Sequence, residues 1–202
     1  SECLKHAPAT GVLIGAQNCS HEDFGAFTGE IACRSLAEIG AHFTLIGHSE
    51  RRSLYGETDQ DVNQKAKKAI SEGLIPVICV GETLAQRDNS QTLDVVLSQV
   101  KNALVNIQLH NESEIIIAYE PVWAIGTGKT ATPQQAEEVH AQIRNLLIEL
   151  YPDHGAEISL LYGGSVKPAN IKELLSMQNI NGGLVGGASL KPESFSDLCK
   201  AC

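Results

Sequence analysis

Residues 115–121 read Ile-Ile-Ile-Ala-Tyr-Glu-Pro, and this stretch contains the pattern that decides the fold. A short apolar run without alternation predicts a parallel strand that is buried on both faces. A carboxylate and a proline end the run, so a polar turn follows the strand at once. Five runs of the same kind lie along the chain, at residues 12–15, 43–46, 76–80, 159–162 and 183–186. The sequence therefore predicts six parallel strands.

Helical stretches separate these strands. Residues 61–71 and residues 93–104 each place apolar side chains on one face at helical spacing. Thr132 and Pro133 are typical of an N-cap followed by a proline in the first turn. Two further prolines are expected to open short helices, Pro168 and Pro192.

Strict alternation of strands and helices fits two architectures, an open doubly wound sheet and a closed barrel. A doubly wound sheet concentrates its functional loops near one switch point. In a barrel these loops follow the carboxyl ends of several strands. Here a polar or glycine-rich cluster follows nearly every strand, for example residues 47–50 and 163–165. We therefore expect an α/β protein with a (β/α) barrel.

Composition argues against two kinds of partner. A net charge of -9 with no basic stripe argues against nucleic acid. No apolar run approaches the roughly 18 residues that a membrane helix needs. The six cysteines are scattered, and the single C-x-x-C pair has no second pair, so neither a metal site nor a redox site is expected. We expect a reduced cytoplasmic protein whose residues 1–202 form one domain.

Two side chains are candidates for acid–base chemistry. Glu120 directly follows a strand, and a carboxylate at that depth is either paired structurally or acts as a base. His48 ends another strand, and Ser49 and Glu50 after it are typical of a helix start. A helix N-terminus disfavours a charged imidazole, so His48 is either structural or a neutral donor to a substrate oxygen. The run from Glu50 through Arg52 is expected to be solvated.

Residues 121–131 have the composition of a lid. Trp123 and Ile125 can exclude water, and Gly126 allows an anion to approach the backbone. Residues 128–130 match the end of a Walker A motif, and residues 126–131 match a loose dinucleotide fingerprint. The first lacks its leading glycine and the second does not follow its strand at once, so both nucleotide readings are disfavoured.

Glycine pairs follow the last two strands, at residues 163–164 and 186–187. Glycines let backbone N–H groups converge on a small anion, and a short helix behind them adds its positive end. One such pair is usually a tight turn. Two pairs after the last strands of a barrel predict a phosphate site.

Together these stretches resemble the triosephosphate isomerase family over essentially the whole chain. The motifs that carry the resemblance lie, in the family's order, at residues 11–18, 25–30, 46–52, 118–128, 162–166 and 184–190. The resemblance implies a (β/α)8 TIM barrel, with about six of its eight βα units in this sequence. It also implies the interconversion of dihydroxyacetone phosphate and D-glyceraldehyde 3-phosphate through an enediolate, in glycolysis and gluconeogenesis, without cofactor or metal.

The resemblance also implies a role for each candidate. Glu120 would be the base and His48 the neutral electrophile. Supporting residues would be Ser49, Glu50 and Leu184. The substrate phosphate would be held by Gly126, Ser165, Gly186 and Gly187. The lid would include Pro121, Trp123, Ile125, Gly128 and Ala131. In a homodimer, one loop would reach the partner's active site through Gln17, Asn18, Phe27 and Thr28.

The sequence departs from the family in its N-terminal part. The family has an Asn-x-Lys motif after its first strand, but here residues 63–65 and 170–172 are expected inside helices. We therefore expect the domain to be N-terminally incomplete, and these 202 residues alone to have near-background activity. Two alternatives are a catalytically inactive barrel fragment and a phosphate-binding barrel of another specificity. Asn181 replaces a common Asp, with little expected effect on chemistry.

Overall fold

The computed structural model describes residues 2–6, 10–125 and 130–201. Six strands occur in this part of the chain, and their order in the sheet is the order of the sequence. They are β1 Gly15–Ala16, β2 Phe43–Ile46, β3 Ile75–Val80, β4 Ile116–Tyr119, β5 Ser159–Tyr162 and β6 Gly182–Gly183.

Nine α-helices are described in the same residues. They are α1 Glu2–His6, α2 Cys33–Glu38, α3 Ser49–Tyr55, α4 Asp59–Ser71, α5 Leu84–Asp88, α6 Thr92–Ala103, α7 Pro133–Leu150, α8 Ile171–Leu175 and α9 Pro192–Ala201. Single 3-10 turns lie at Glu112–Glu114, Val122–Ala124 and Gly187–Leu190. None of these helices is long and apolar enough to cross a membrane.

The chain divides into two compact units. The first comprises Ser1–Cys79 and Lys101–Ile116. Its strands β1, β2 and β3 are parallel neighbours, with Gly15 opposite Phe43 and Phe43 opposite Ile75. The core of this unit packs α4 against the strands through buried apolar side chains, among them Ile46, Val62, Ala66 and Ile78.

The second unit comprises Val80–Val100 and Ile117–Cys202. Strands β5 and β6 are parallel, with Leu161 opposite Gly182. Just past β5, the N–H of Gly163 donates to the carbonyl of Tyr119 at 2.8 Å, which ties the ends of β4 and β5 together. Buried side chains of this unit include Ile143, Leu147, Leu160 and Leu174.

Local capping explains why the helices begin where they do. The Thr132 side chain accepts from the backbone of Gln135 while the Gln135 side chain accepts from the backbone of Thr132, and Pro133 opens α7. A second capping box joins Thr58 and Asp61 at the start of α4. The predicted helices at residues 61–71 and 93–104, and the start at Pro133, are confirmed to within a turn.

The two outermost strands differ from the prediction. Strand β1 lies at Gly15–Ala16 rather than at residues 12–15, and Val12 and Leu13 are 57% and 54% exposed. Strand β6 lies at Gly182–Gly183 rather than at residues 183–186. Within residues 2–6, 10–125 and 130–201, both stand at an end of the strand order and pair on one side only. Glycine adds no side-chain packing to a strand, so these elements contain only two residues each.

One of the two proline-opened helices was also misplaced. Pro192 opens α9 as predicted, but α8 begins at Ile171, three residues beyond Pro168. The intervening residues form a turn that Asn170 holds. Its Oδ1 accepts from the Lys167 N–H at 2.8 Å, and its Nδ2 donates to the Ser165 carbonyl at 3.0 Å. Such local side-chain bonds compete with a helix for the same backbone groups.

Candidate active site

Glu120 lies immediately after β4 and is 2% exposed. Its backbone N–H donates to the carbonyl of Val80 at 2.7 Å. Two glycines pack directly against it. A Cβ at Gly81 would lie 1.7 Å from the Glu120 carbonyl oxygen, and one at Gly163 would lie 2.8 Å from the Glu120 Cγ. Neither position has room for a side chain, so both glycines are required by the packing around this carboxylate.

A second buried carboxylate, which the sequence reasoning missed, organises the chain around Glu120. Glu82 is 0% exposed. Its carboxylate accepts from the Tyr119 hydroxyl at 3.1 Å and from the Trp123 indole N–H at 2.9 Å. Its backbone carbonyl accepts from the Val122 N–H at 3.1 Å. Glu82 therefore binds the residues on both sides of Glu120.

Tyr119 and Arg87 complete the surroundings of Glu82. Burial, with the Glu82 charge and hydrogen bond, raises the pKa of the Tyr119 hydroxyl, so this group stays protonated and donates. Arg87 Nη1 lies 3.2 Å from Glu82 Oε1, and its guanidinium carbon lies 4.6 Å from the centroid of the Trp123 ring. Both oxygens of the Glu82 carboxylate thus accept hydrogen bonds, as burial requires.

The predicted lid is described only in part. Pro121 leads into the 3-10 turn Val122–Ala124, and Trp123 and Ile125 are half-buried. Ala131 is buried. Gly126 and Gly128, which were predicted to belong to the phosphate grip and the lid, lie outside the described residues.

His48 is the N-cap of α3, as the Ser49-Glu50 helix start predicted. Its Nδ1 accepts from the Glu50 N–H at 3.3 Å, and the Glu50 carboxylate lies 4.0 Å away. A nitrogen that accepts a hydrogen bond has no proton, so a neutral His48 ring has its hydrogen on Nε2.

Of the charge run predicted to be solvated, only Glu50 is exposed, whereas Arg51 and Arg52 are half-buried. Arg51 Nε lies 2.5 Å from Glu57 Oε2, while Arg52 donates to the Gly47 carbonyl and pairs with Asp59. Glu57 is 8% exposed. Burial would raise its pKa, but hydrogen bonds from Arg51 and Lys65 outweigh it and lower the pKa of Glu57. The run looked solvated because its partners lie several residues further along the chain.

Glu57 also holds the turn before His48. Its Oε1 accepts from the Gly47 N–H at 2.8 Å, and Gly47 has a positive φ of 69°. A side chain there would meet Val62 at 2.8 Å, so the glycine is required on both grounds. Lys65 binds Glu57 at 3.0 Å and Asn18 Oδ1 at 2.9 Å. Lys65 is thus used within the fold and, as expected, lies inside helix α4.

In one of the predicted phosphate loops, no atom crowds the backbone of the glycine pair. Ideal Cβ atoms at Gly186 and Gly187 would meet no atom within 4 Å, and Gly187 begins a single 3-10 turn. The N–H of Leu184 donates to the Tyr162 carbonyl at 2.9 Å, which holds the start of this loop. Ser165 has its carbonyl bound by Asn170. The second Asn-x-Lys sequence, residues 170–172, lies at the start of α8, so its lysine does not follow a strand.

The predicted dimer loop is exposed in the first unit. Gln17, Phe27 and Thr28 are exposed, and Asn18 is half-buried. Phe24, in the same loop, is 90% exposed. In the part of the chain that the structure describes, no group of three His, Cys, Asp or Glu residues is arranged to hold a metal ion.

Comparison with known proteins gives a consistent result. The family model described as triosephosphate isomerase matches residues 1–202. A triosephosphate isomerase of Trichlorobacter lovleyi is 52% identical over 197 residues, which cover 97% of this chain and 78% of that protein. A triosephosphate isomerase of Endomicrobium trichonymphae is 49% identical and is matched over 76% of its length.

The solved structures agree. A crystal structure of triosephosphate isomerase from Bartonella henselae superposes with a TM-score of 0.89 at 44% identity, over 98% of this chain and 81% of that one. The prediction of an α/β TIM barrel is therefore confirmed. The chain belongs to the triosephosphate isomerase family.

Proposed function

We propose that this chain interconverts dihydroxyacetone phosphate and D-glyceraldehyde 3-phosphate by proton transfer through an enediolate, without a cofactor. The observation that supports this most is the Glu120 carboxylate, 2% exposed at the end of β4 and packed against two glycines. A carboxylate withdrawn from water can take a proton from a carbon placed beside it without first shedding a hydration shell. Glu120 takes the proton from one substrate carbon and returns it to the next.

His48 stabilises the oxygen that becomes negative during this transfer. Because its Nδ1 accepts from the Glu50 N–H, the neutral ring presents an Nε2–H donor. That donor polarises the substrate carbonyl and relays the hydroxyl proton between the two oxygens of the enediolate. Ser49 and Glu50 support this role by forming the first turn of α3, which fixes the orientation of the ring.

Backbone amides bind the substrate phosphate. The Cβ positions of Gly186 and Gly187 are open, so an anion can approach the N–H groups of this loop. Ser165 and Gly126 contribute from the neighbouring loops, and Leu184 positions Gly186. The residues from Pro121 to Ala131, with Trp123, Ile125 and Gly128 between them, close over the substrate as a lid and exclude water.

The test is a coupled isomerase assay on the natural protein that carries these 202 residues. Glu120→Asp withdraws the carboxylate by about an ångström, so we expect kcat to fall by roughly 100-fold with a small change in KM. Glu149→Asp, the same change at an exposed position of α7, is the matched control. Unchanged turnover in Glu120→Asp would remove Glu120 from the role of base.

We also propose a homodimer in which the loop containing Gln17, Asn18, Phe27 and Thr28 reaches the active site of a second copy. The support is its exposed apolar surface, since Phe24 is 90% and Phe27 46% exposed. Light scattering measures the mass directly. Phe27→Asp is expected to give a monomer with lower activity, and a wild-type monomer with full activity would contradict the proposal.

Two smaller proposals follow from the same function. The reaction belongs to glycolysis and gluconeogenesis, which places the protein in the cytoplasm, and fractionation of cells checks this. We also propose that the two compact units unfold together as one domain. Circular dichroism and Trp123 fluorescence should then report the same urea midpoint, whereas two separate midpoints would contradict it.

A further inference from the structure

Arg87 makes two different contacts through one guanidinium group. It lies on α5, whose start is fixed by a capping box between Thr83 and Gln86. Its guanidinium carbon is 4.6 Å from the Trp123 ring centroid, and its Nη1 is 3.2 Å from Glu82 Oε1. A planar guanidinium can stack on a ring and pair with a carboxylate at the same time, which an ammonium group cannot.

The two partners of Arg87 are also bound to each other. The Trp123 indole N–H donates to the same Glu82 Oε1 at 2.9 Å, so Arg87, Glu82 and Trp123 form a closed triangle. Glu82 further accepts from Tyr119, the residue before Glu120. Trp123 lies three residues after Glu120. The triangle therefore fixes the chain on both sides of the proposed base.

The charge of Arg87 matters because Glu82 is fully buried. Its other side-chain donors are the neutral groups of Tyr119, Trp123 and Thr92. Among the described residues, Arg87 is the only cation within ion-pair distance of this carboxylate. Removing one partner of a buried ion pair leaves the other uncompensated, and the surrounding segment then rearranges.

Packing alone does not hold the guanidinium in place. Arg87 also lines a cavity of about 230 Å³, together with Thr92, Leu93, Gln135, Glu138 and Val139. The side chain thus has empty space beside it. Its observed position depends on the contacts with Trp123 and Glu82, and a lysine at the same place would lose the stacked contact.

We propose that Arg87 is a positioning residue for Glu120, acting through Trp123 and Glu82. The inference rests on the proposed role of Glu120 as the base. Helix α5, which follows β3, would then help to keep the Glu120 carboxylate at the reacting carbon. Because Arg87 acts through other residues, it changes the rate of proton transfer and not the affinity for the phosphate.

The test uses two variants and one control. Arg87→Met keeps most of the aliphatic part of the side chain and removes the charge. Arg87→Lys keeps the charge and removes the planar guanidinium group. Arg34→Met is the control, because Arg34 also pairs with a glutamate but is exposed and belongs to the first unit. Trp123 is the only tryptophan in these 202 residues, so its fluorescence reports the stacked contact directly.

For Arg87→Met we expect a red shift of the Trp123 emission and stronger quenching by acrylamide. We also expect kcat to fall about 10-fold or more, with KM changed by less than about two-fold. Arg87→Lys should give a smaller loss of kcat with a similar spectral shift, and Arg34→Met should match the wild type in both measurements.

Several results would overturn the proposal. Unchanged Trp123 emission in Arg87→Met would show that the stacked contact is absent, and a raised KM at constant kcat would show a binding role instead. If circular dichroism shows that Arg87→Met does not fold, the Trp123 emission and the kcat and KM of Arg87→Lys decide whether the proposal holds. A wild type without isomerase activity would refute the proposed function, whereas a normal wild type with an unaffected Arg87→Met refutes only the role of Arg87.

Discussion

Two buried carboxylates, Glu57 in the first unit and Glu82 in the second, differ in the charge of their partners. Glu57 contacts two cations, Arg51 at 2.5 Å and Lys65 at 3.0 Å. Glu82 contacts one cation, Arg87, and otherwise accepts from neutral donors. Each carboxylate holds the segment next to one proposed catalytic residue. The carboxylate is thus paired mainly with cations in one unit and mainly with neutral donors in the other.

The two carboxylates also differ in the neutral groups that they bind, a backbone N–H for Glu57 and side chains for Glu82. Glu57 binds the backbone N–H of Gly47, so it fixes a turn whose shape has to stay constant for His48 to cap α3. Glu82 binds the side chains of Tyr119 and Trp123, which belong to the segment leading into the proposed lid. Removing the charge of Glu82 leaves one cation without its partner, whereas removing the charge of Glu57 leaves two.

The largest expected effect is on the stability of the first unit. Glu57→Gln keeps an acceptor for Gly47 but leaves Arg51 and Lys65 without a counter-charge. Because Lys65 is buried, we expect the free energy of unfolding to fall by about 3 to 5 kcal/mol. Urea denaturation measures it. Glu38→Gln, which removes an exposed carboxylate beside Arg34, is the control and should change little.

The same substitution in the second unit should cost less. Glu82→Gln keeps an oxygen for Tyr119 and Trp123 and loses one ion pair, so we expect a loss of about 1 to 3 kcal/mol in urea denaturation. Glu57→Gln and Glu82→Gln are chemically identical changes at two buried sites. Equal losses would show that the number of cationic partners does not distinguish the two carboxylates.

Acidification should separate the contributions of two buried groups, one in each unit, because their pKa values lie in different pH ranges. Burial lowers the pKa of His140 in the second unit, and hydrogen bonds from Arg51 and Lys65 outweigh burial to lower that of Glu57 in the first. For both groups the unfolded chain binds the proton more tightly. Their contribution is therefore complete above the ordinary pKa and is lost as the pH falls through the lowered one.

The ordinary values set the two windows. The loss due to His140 begins near pH 6.5 and that due to Glu57 near pH 4.5. Each group contributes up to about 1.4 kcal/mol per pH unit within its window. Urea denaturation at a series of pH values measures both steps. His140→Phe should remove the upper step and Glu57→Gln should reduce the lower one, to which Asp61 also contributes, and a single step below pH 4.5 would contradict the assignment of His140.

The sequence predicted the interior strands better than the outer ones. Strands β2 to β5 are largely apolar runs, and a short apolar run between turn residues leaves few alternatives to a strand. Strands β1 and β6 pair on one side and consist largely of glycine, so hydrophobicity misplaced them toward Val12, Leu13 and Val185. The start of α7 was predictable from Thr132, a cap followed three residues later by a polar partner, but the same pattern at Thr83 and Gln86, which starts α5, was not recognised.

The candidate site was predictable where one short motif determines it. Glu120 directly follows β4 and His48 lies two residues after β2, and both positions can be read locally. Glu82 also follows a strand, but its role depends on Tyr119 and Trp123, which lie 37 and 41 residues further along the chain. Such a network becomes visible only when β3 and β4 are placed, since no periodicity links its members.

The smallest expected effect concerns a buried cation of the second unit that has only neutral acceptors. Arg144 donates to the carbonyls of Gly155 and Ile158 and to Asn181 Oδ1, and burial lowers the pKa of its guanidinium. Asn181→Asp keeps the oxygen that Leu160 N–H also uses and places a charge 3.0 Å from the guanidinium.

We expect Asn181→Asp to raise the free energy of unfolding by up to about 1 kcal/mol, because charged hydrogen bonds are stronger but Asn181 is exposed. Turnover should not change, since Arg144 and Asn181 bind Gly155, Ile158 and Leu160 and neither belongs to the proposed site. Asn181→Ala, which loses both bonds, should be destabilised and serves as the control. A gain that disappears in high salt would show that exposure limits the pair. A gain that persists in high salt would show that the second unit stabilises a paired charge as well as the first unit does. The neutral donors at Glu82 would then be explained by its contacts with Tyr119 and Trp123, beside Glu120, and not by a poor tolerance of charge in that unit.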